Sequence, residues 1–218
     1  MDIHSKYLNN IRYYPVYRFV LGMLIIGLTP YLRMKGLSYS QVMLLQSVSA
    51  AMVVLFEMPT GMVADKVSRK RSLFLSAVCI GVAFSLYILF SDFRVFVCAE
   101  MIFGIGLTFR SGADAALLYE SLDRLGRKNE YAQIEGRANT FIFIGQGIGA
   151  VVSSLLYTYN ADIPFWISVG NCLVAAGVAL LFVETEREKG GSVIIRTSST
   201  ACVWRWGVRL FYGRCCWL

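Results

Sequence analysis

Histidine, cysteine pairs and charged residues are all scarce in this sequence, and each scarcity excludes a class of protein. The single histidine, His4, lies in the polar N-terminal segment, which rules out histidine-based triads and most metal chemistry. No C-x-x-C pair occurs, so the sequence predicts no disulfide framework, no metal site and no cofactor. Three of the six cysteines lie inside apolar stretches, where thiols act as small hydrophobes: Cys79, Cys98 and Cys172.

Charged residues make up only 16% of the 218 residues, against about 25% in a typical soluble domain. Hydrophobic residues reach 56%, the mean hydropathy is +0.57, and apolar blocks approach the ~20 residues that cross a bilayer as a helix. The net charge of +7 does not indicate nucleic-acid binding, because Lys and Arg lie mainly in short links between those blocks. The composition therefore predicts an all-α, multi-pass membrane protein and not an enzyme.

Six apolar blocks, joined mostly by short links, predict six transmembrane helices packed as a bundle. The first is the weakest, because Arg18 interrupts its start, although a snorkelling side chain can carry that charge to the headgroups. The longer link after the fourth span, residues 120–138, is rich in charge and predicts a solvated surface helix. The six predicted spans are Tyr13–Leu32, Tyr39–Ala64, Ser72–Phe90, Val95–Tyr119, Asn139–Tyr159 and Ile163–Val183.

Basic residues in the links predict the orientation of the spans. Links on one side carry few cations, whereas the other side carries basic clusters at residues 66–71 and 124–137. Because positively charged links stay in the cytoplasm, the N-terminus and the end of the sixth span are expected there, with the chain in the inner (cell) membrane.

Ionisable residues inside the spans are unevenly distributed. Spans three and six have none between Leu73 and Phe90 or between Ile163 and Val183. Ionisable groups at depth are costly unless they face a bundle interior or a wet cavity. Spans one, two, four and five are therefore expected to line a polar cavity, and spans three and six to face lipid. The candidate cavity or coupling residues are Arg18, Glu57, Glu100, Arg110, Asp114 and Gln146.

Two spacings of four residues suggest contacts within the bundle. Arg110 and Asp114 are predicted to share a helical face. Two interpretations of them stay open: a cavity charge pair or proton-coupling site, or a structural ion pair that neutralises two costly charges. Gly145, Gly149 and Ser153 have the same spacing and predict a close-packing face in span five.

The link between spans two and three, GMVADKVSRKRSL, combines a glycine, an aspartate and a dense basic cluster. Glycine admits a neighbouring backbone, and an aspartate four residues later can reach a helix N-terminus or a basic group across the gap. The basic residues hold the turn at the cytoplasmic headgroups. The predicted latch consists of Gly61, Asp65, Lys66, Arg69 and Lys70.

This pattern resembles the signature G-x-x-x-D-(R/K)-x-G-R-(R/K), found between the second and third helices of the major facilitator superfamily, with Ser68 in place of a glycine. The segment SGADAALLYESL, which begins at Ser111, resembles the end of the fourth helix in a subgroup of prokaryotic transporters. The resemblance covers about residues 7–189. It implies the N-terminal six-helix half of that fold, a 3+3 inverted repeat. It also implies a conformation-stabilising charge network around Asp65, with Arg69 as its local partner.

The resemblance further implies a secondary active carrier that binds a small solute near the midplane, between two six-helix halves, and works by alternating access. Efflux and proton coupling are open possibilities. The expected partners are the bilayer, an unidentified solute, protons, and either a second half or a second copy of the chain. The alternative is a non-transporting membrane remnant or an assembly subunit.

The segment 190–218 differs in composition from the bundle at 1–189. It contains no acidic residue and no lysine, but holds three of the four tryptophans and three of the six cysteines. One interpretation is out-of-frame translation that truncates the protein after its first half. The other is a genuine amphipathic tail that lies on the membrane with Arg and Trp as anchors.

Overall fold

A computed structural model of the chain describes residues 3–24, 27–66 and 68–184, and the side chains of 7–24, 27–57 and 68–184. Helices and turns account for all the regular structure in these ranges. The α-helices are α1 (Ile3–Gly22), α2 (Leu28–Met34), α3 (Tyr39–Lys66), α4 (Arg69–Leu89), α5 (Phe93–Arg110), α6 (Ala113–Arg124), α7 (Tyr131–Tyr157) and α8 (Asp162–Leu181), with a 3-10 turn at Lys128–Glu130.

Within the described ranges, five stretches are long and apolar enough to cross a membrane. They correspond to the predicted spans two to six. The first span is not among them, because it is divided into α1 and the short α2 and because α1 includes a polar N-terminal part. The five stretches are Tyr39–Glu57, Arg69–Leu89, Phe93–Arg124, Lys128–Tyr157 and Asp162–Leu181.

The fourth span is also divided, between α5 and α6. Gly112 has a φ of +96°, a left-handed conformation that glycine adopts without a steric penalty. The α6 helix then begins at Ala113. Because the helix is interrupted between Arg110 and Asp114, their spacing of four does not put them on one continuous face, and that expectation was wrong.

The helices pack in a pattern that repeats after three spans. The first span packs on the fifth (α1 on α7), the second on the fourth (α3 on α5) and the third on the sixth (α4 on α8). When spans one, two and three are exchanged with spans four, five and six respectively, the same three pairings result. An inverted repeat requires this symmetry. The prediction of an all-α membrane bundle of the half-carrier type is thereby confirmed.

The predicted close-packing face of span five is also confirmed. A Cβ atom on Gly145 would lie 2.5 Å from the carbonyl oxygen of Phe19, so α7 approaches α1 backbone to backbone. Gly104 has the same role between α5 and α3, where a Cβ would lie 2.8 Å from the Ser49 carbonyl oxygen. Both close contacts belong to pairings that the repeat relates to each other.

The long link between spans four and five was predicted as a surface helix, and this prediction was wrong. Most of its residues belong to the flanking helices, since α6 runs to Arg124 and α7 begins at Tyr131. Only residues 125–130 remain as a connection. The segment 190–218 lies outside the described residues, so its two interpretations stay predictions.

Candidate functional site: a buried ion network joining three spans

Charged side chains from three spans meet inside the bundle. The Arg18 guanidinium on α1 lies with its Nη2 atom 2.6 Å from Oε1 of Glu135 on α7 and 3.5 Å from Oδ2 of Asp114 on α6. The same guanidinium donates to the Tyr14 hydroxyl, at 3.0 Å from Nε and 2.6 Å from Nη2. Tyr14 in turn donates to Oε2 of Glu135 at 2.7 Å. We call these four residues the ion network.

The ion network is largely removed from solvent. The side chains of Arg18, Asp114 and Glu135 are 14%, 9% and 18% exposed. One guanidinium therefore faces two carboxylates in a poorly hydrated setting, where each charge depends on the others. Glu135 has both oxygens engaged by short hydrogen bonds, whereas Asp114 is held at a longer distance. Arg18 thus forms ion pairs with two other helices of the bundle.

Two further groups lie close to the ion network. The Tyr17 hydroxyl is buried and has no hydrogen-bond partner among the described residues, and Arg110 lies within electrostatic reach of it. Arg110 forms no salt bridge with any residue whose side chain the structure describes, and it is half-buried. The pair that the spacing suggested, Arg110 with Asp114, is replaced by a pair between Arg18 and Asp114.

The other cavity candidates do not join the ion network. Glu100 on α5 is 1% exposed and has Tyr87 and Ser49 as polar neighbours. Glu57 on α3 is exposed, and Gln146 on α7 is half-buried. Glu100 is therefore a second, separate buried acid.

The predicted latch is described in part. Arg69 Nη2 lies 3.4 Å from Oε1 of Glu120 on α6, so the start of α4 is tied to the extension of the fourth span. Ser68 caps α4, because its side chain accepts a hydrogen bond from the Arg71 backbone N–H. Lys70 lines a shallow pocket beside it with Ser68, Arg71, Phe74, Leu180 and Glu184.

The other latch residues, Gly61, Asp65 and Lys66, belong to the last turns of α3. Their side chains lie outside the described residues. The expected pairing of Asp65 with Arg69 therefore stays a prediction.

Sequence reasoning missed Glu135, which it placed in a solvated link. A signal was present, since Tyr131, Ile134 and Ala138 follow one another at spacings of three and four. Ile134 and Ala138 are both buried against Tyr14 and its neighbours. This apolar periodicity extends the helix of span five towards its N-terminus. The extension places Glu135 next to Arg18.

Comparison with known proteins agrees with this architecture. The sequence profile of the Major Facilitator Superfamily matches residues 16–209, well over half of the chain. The chain belongs to the Major Facilitator Superfamily, a family of membrane transporters. The match extends beyond residue 189, into the segment whose composition is atypical.

A similar protein is the lactose permease of Citrobacter freundii. It is 24% identical over 143 residues, which cover 61% of this chain and 32% of the permease. The chain therefore matches about a third of the length of this relative. The comparisons support solute transport across a membrane by a multi-pass protein as the general activity.

Proposed function

We propose that the chain acts as the first six-span half of a secondary active carrier, which moves a small solute across the cell membrane by alternating access. The observation that carries this proposal is the ion network, which concentrates one cation and two carboxylates where spans one, four and five meet. Charges at this depth are expensive and mark solute or ion pathways in membrane proteins. The interface between α4 and α8 is instead formed by small and apolar side chains such as Ala77, Ile80 and Cys172, so helix packing alone does not require buried charges.

Proton coupling is the coupling mode that the ion network best supports. Two carboxylates share one guanidinium, so the cluster carries an excess of acidic groups that can exchange a proton as the cavity opens and closes. The lactose permease match makes lactose the first solute to try. Uptake and efflux are both compatible with such a site.

Alternating access also requires a second six-span unit. Helices α3 and α7 are the least buried of the long apolar stretches, with many exposed aliphatic and aromatic side chains. We propose that these faces meet a second half or a second copy of the chain. The N-terminus and the end of the sixth span are proposed to be cytoplasmic, because the adjoining links are basic.

Transport measurements in cells test the proposal, with these six spans joined to a second six-span unit in a full-length carrier. Uptake and efflux of a panel of solutes, beginning with lactose, would be compared for the parent and Arg18→Lys at matched membrane levels. Lysine keeps the charge but cannot make the forked contacts of arginine, so transport of at least one solute should fall about tenfold or more. Arg127→Lys is the matched control, since Arg127 lies in the link and pairs with the exposed Glu130.

Equal solute movement by the parent and Arg18→Lys across the panel would contradict the role of the ion network. For the purified chain alone in liposomes under a proton gradient, we expect no accumulation, because the distinct second half that the family resemblance implies is absent. Gradient-dependent accumulation by that preparation would show that one copy of this chain, or a dimer of it, suffices.

A further inference from the structure

The two residues that follow α8 are held tightly although they lie outside the helix. The helix ends at Leu181, and Phe182 adopts φ −63° and ψ 140°, so the chain becomes extended. The Phe182 ring is buried and lies edge-on to Tyr17, with 5.5 Å between the ring centroids. The chain therefore leaves the sixth span along the surface of α1.

A single side chain satisfies both backbone groups of the next residue. The Nδ2 group of Asn10 donates to the carbonyl oxygen of Val183 at 2.8 Å, and its Oδ1 atom accepts from the Val183 N–H at 2.8 Å. A third bond runs from Nδ2 to the Ser121 hydroxyl at 3.0 Å. The carboxamide thus pairs with the backbone N–H and C=O of one residue, as a residue on a neighbouring strand would.

Few other residue types could replace this asparagine. Pairing with the backbone N–H and C=O of one residue needs a donor and an acceptor side by side. A carboxamide has both, whereas a carboxylate or hydroxyl does not offer them on adjacent atoms. Asn10 is buried, so an unmet polar group on either side would be costly. The arrangement is therefore specific to a carboxamide of this length at this position.

Asn10 also lies one helical turn before Tyr14, and Ser121 lies two turns after Asp114 on α6. Two of the three helices that form the ion network, α1 and α6, thus hold the exit from the sixth span. We propose that Asn10 is a positioning residue, which fixes the direction in which the chain leaves the half-bundle at Val183. A movement of α1 against α6 would then act directly on Val183.

Hydrogen–deuterium exchange of the full chain in lipid nanodiscs tests this assignment. Asn10→Leu keeps most of the volume and removes all three hydrogen bonds, so the Val183 amide should exchange about tenfold faster than in the parent. Amides in the middle of α8, around Ser168 and Cys172, should keep their parent rates. Asn9→Leu is the matched control, because Asn9 is the adjacent, half-exposed asparagine, and it should leave the Val183 amide unchanged.

Two more variants separate positioning from packing. Asn10→Asp keeps an acceptor for the Val183 N–H but loses both donated bonds, so exchange of that amide should be faster than in the parent and slower than in Asn10→Leu. Ser121→Ala removes the third bond and the hydrogen bond from Ser121 to the Leu117 carbonyl within α6, but neither bond between Asn10 and Val183, so it should change Val183 exchange by about twofold or less. Unchanged Val183 exchange in Asn10→Leu would overturn the proposal. Equally faster exchange along all of α8, or equal rates in Asn10→Asp and Asn10→Leu, would also overturn it.

Discussion

The pair of helices α4 and α8 differs sharply from the corner formed by α1, α6 and α7. The first pair is joined by small and apolar side chains such as Ala77, Ile80, Cys172 and Ala179. The second corner encloses an arginine, two carboxylates and a tyrosine hydroxyl. Both regions are parts of one bundle, so the contrast reflects different tasks and not different folds.

The difference indicates where stability and function are located. Small residues give close van der Waals packing, which is the main attraction between helices in lipid. Buried charges contribute little net stability and become costly when one partner is lost. The α4–α8 pair is therefore expected to act as the scaffold, and the ion network as the part that responds to solute.

Removing the cation of the ion network should have the largest effect. Arg18→Gln leaves Asp114 and Glu135 buried with no guanidinium, and we expect a loss of about 3 kcal/mol in unfolding free energy. Thermal or denaturant unfolding in detergent micelles would measure it. Arg127→Gln, at a pair whose side chains are 43% and 40% exposed, should leave the unfolding free energy nearly unchanged.

A second substitution sharpens this prediction. If the cost comes from uncompensated charge, adding Asp114→Asn to Arg18→Gln should recover part of the lost stability. The opposite outcome is that the double variant loses as much unfolding free energy as the two single variants together, or more. That result would show that packing and not charge is responsible. In that case the contrast with the α4–α8 pair would disappear.

The next effect concerns how closely helices approach one another. Gly145→Ala places a methyl group against the Phe19 carbonyl oxygen, and we expect a loss of about 1–3 kcal/mol as α7 is pushed from α1. Gly81→Ala, on α4, meets only the Cys172 Cβ at 3.3 Å and should cost less. Unfolding midpoints of the two variants, with Gly147→Ala as the open-space control on α7, would test the order.

If Gly81→Ala proved the more damaging change, α4 and α8 would be the more closely packed pair. The first and fifth spans would then have to be the looser part of the bundle. That outcome would contradict the closer backbone contact of α7 with α1 than of α4 with α8.

The positions of the helices could be predicted from the sequence much better than the ion network. Apolar blocks and basic links located the spans, because hydrophobic length and link charge are local properties. Arg18 and Asp114 were recognised as unusual for the same reason. Their pairing could not be found from spacing, since it depends on the break at Gly112 and on α7 beginning at Tyr131. Contacts between distant segments follow from packing, which spacing along one helix does not encode.

A smaller effect on stability, but a selective one on conformation, is expected at the latch. Asp65→Asn keeps the size of the side chain and removes its charge, so unfolding free energy should change by about 1 kcal/mol or less. The balance between inward-open and outward-open states should nevertheless shift, whereas Gly61→Leu should act sterically on the same balance. Cysteine accessibility from the two sides of the membrane, in a full-length carrier with each change, would measure the shift. Unchanged accessibility in both variants would remove the latch interpretation.

The smallest structural change tests the orientation of the bundle in the membrane. Ser68→Cys alters one oxygen atom at the cap of α4 and should cost about 0.5–1 kcal/mol. Position 68 is predicted to be cytoplasmic, so a membrane-impermeant thiol reagent added to intact cells should not label it beyond the background of the parent cysteines. Ser91→Cys, on the link between spans three and four, is exposed and should be labelled from outside. The reverse pattern would invert the bundle in the membrane. It would also move the exit of the sixth span at Val183, and the Arg69–Glu120 contact, to the external face.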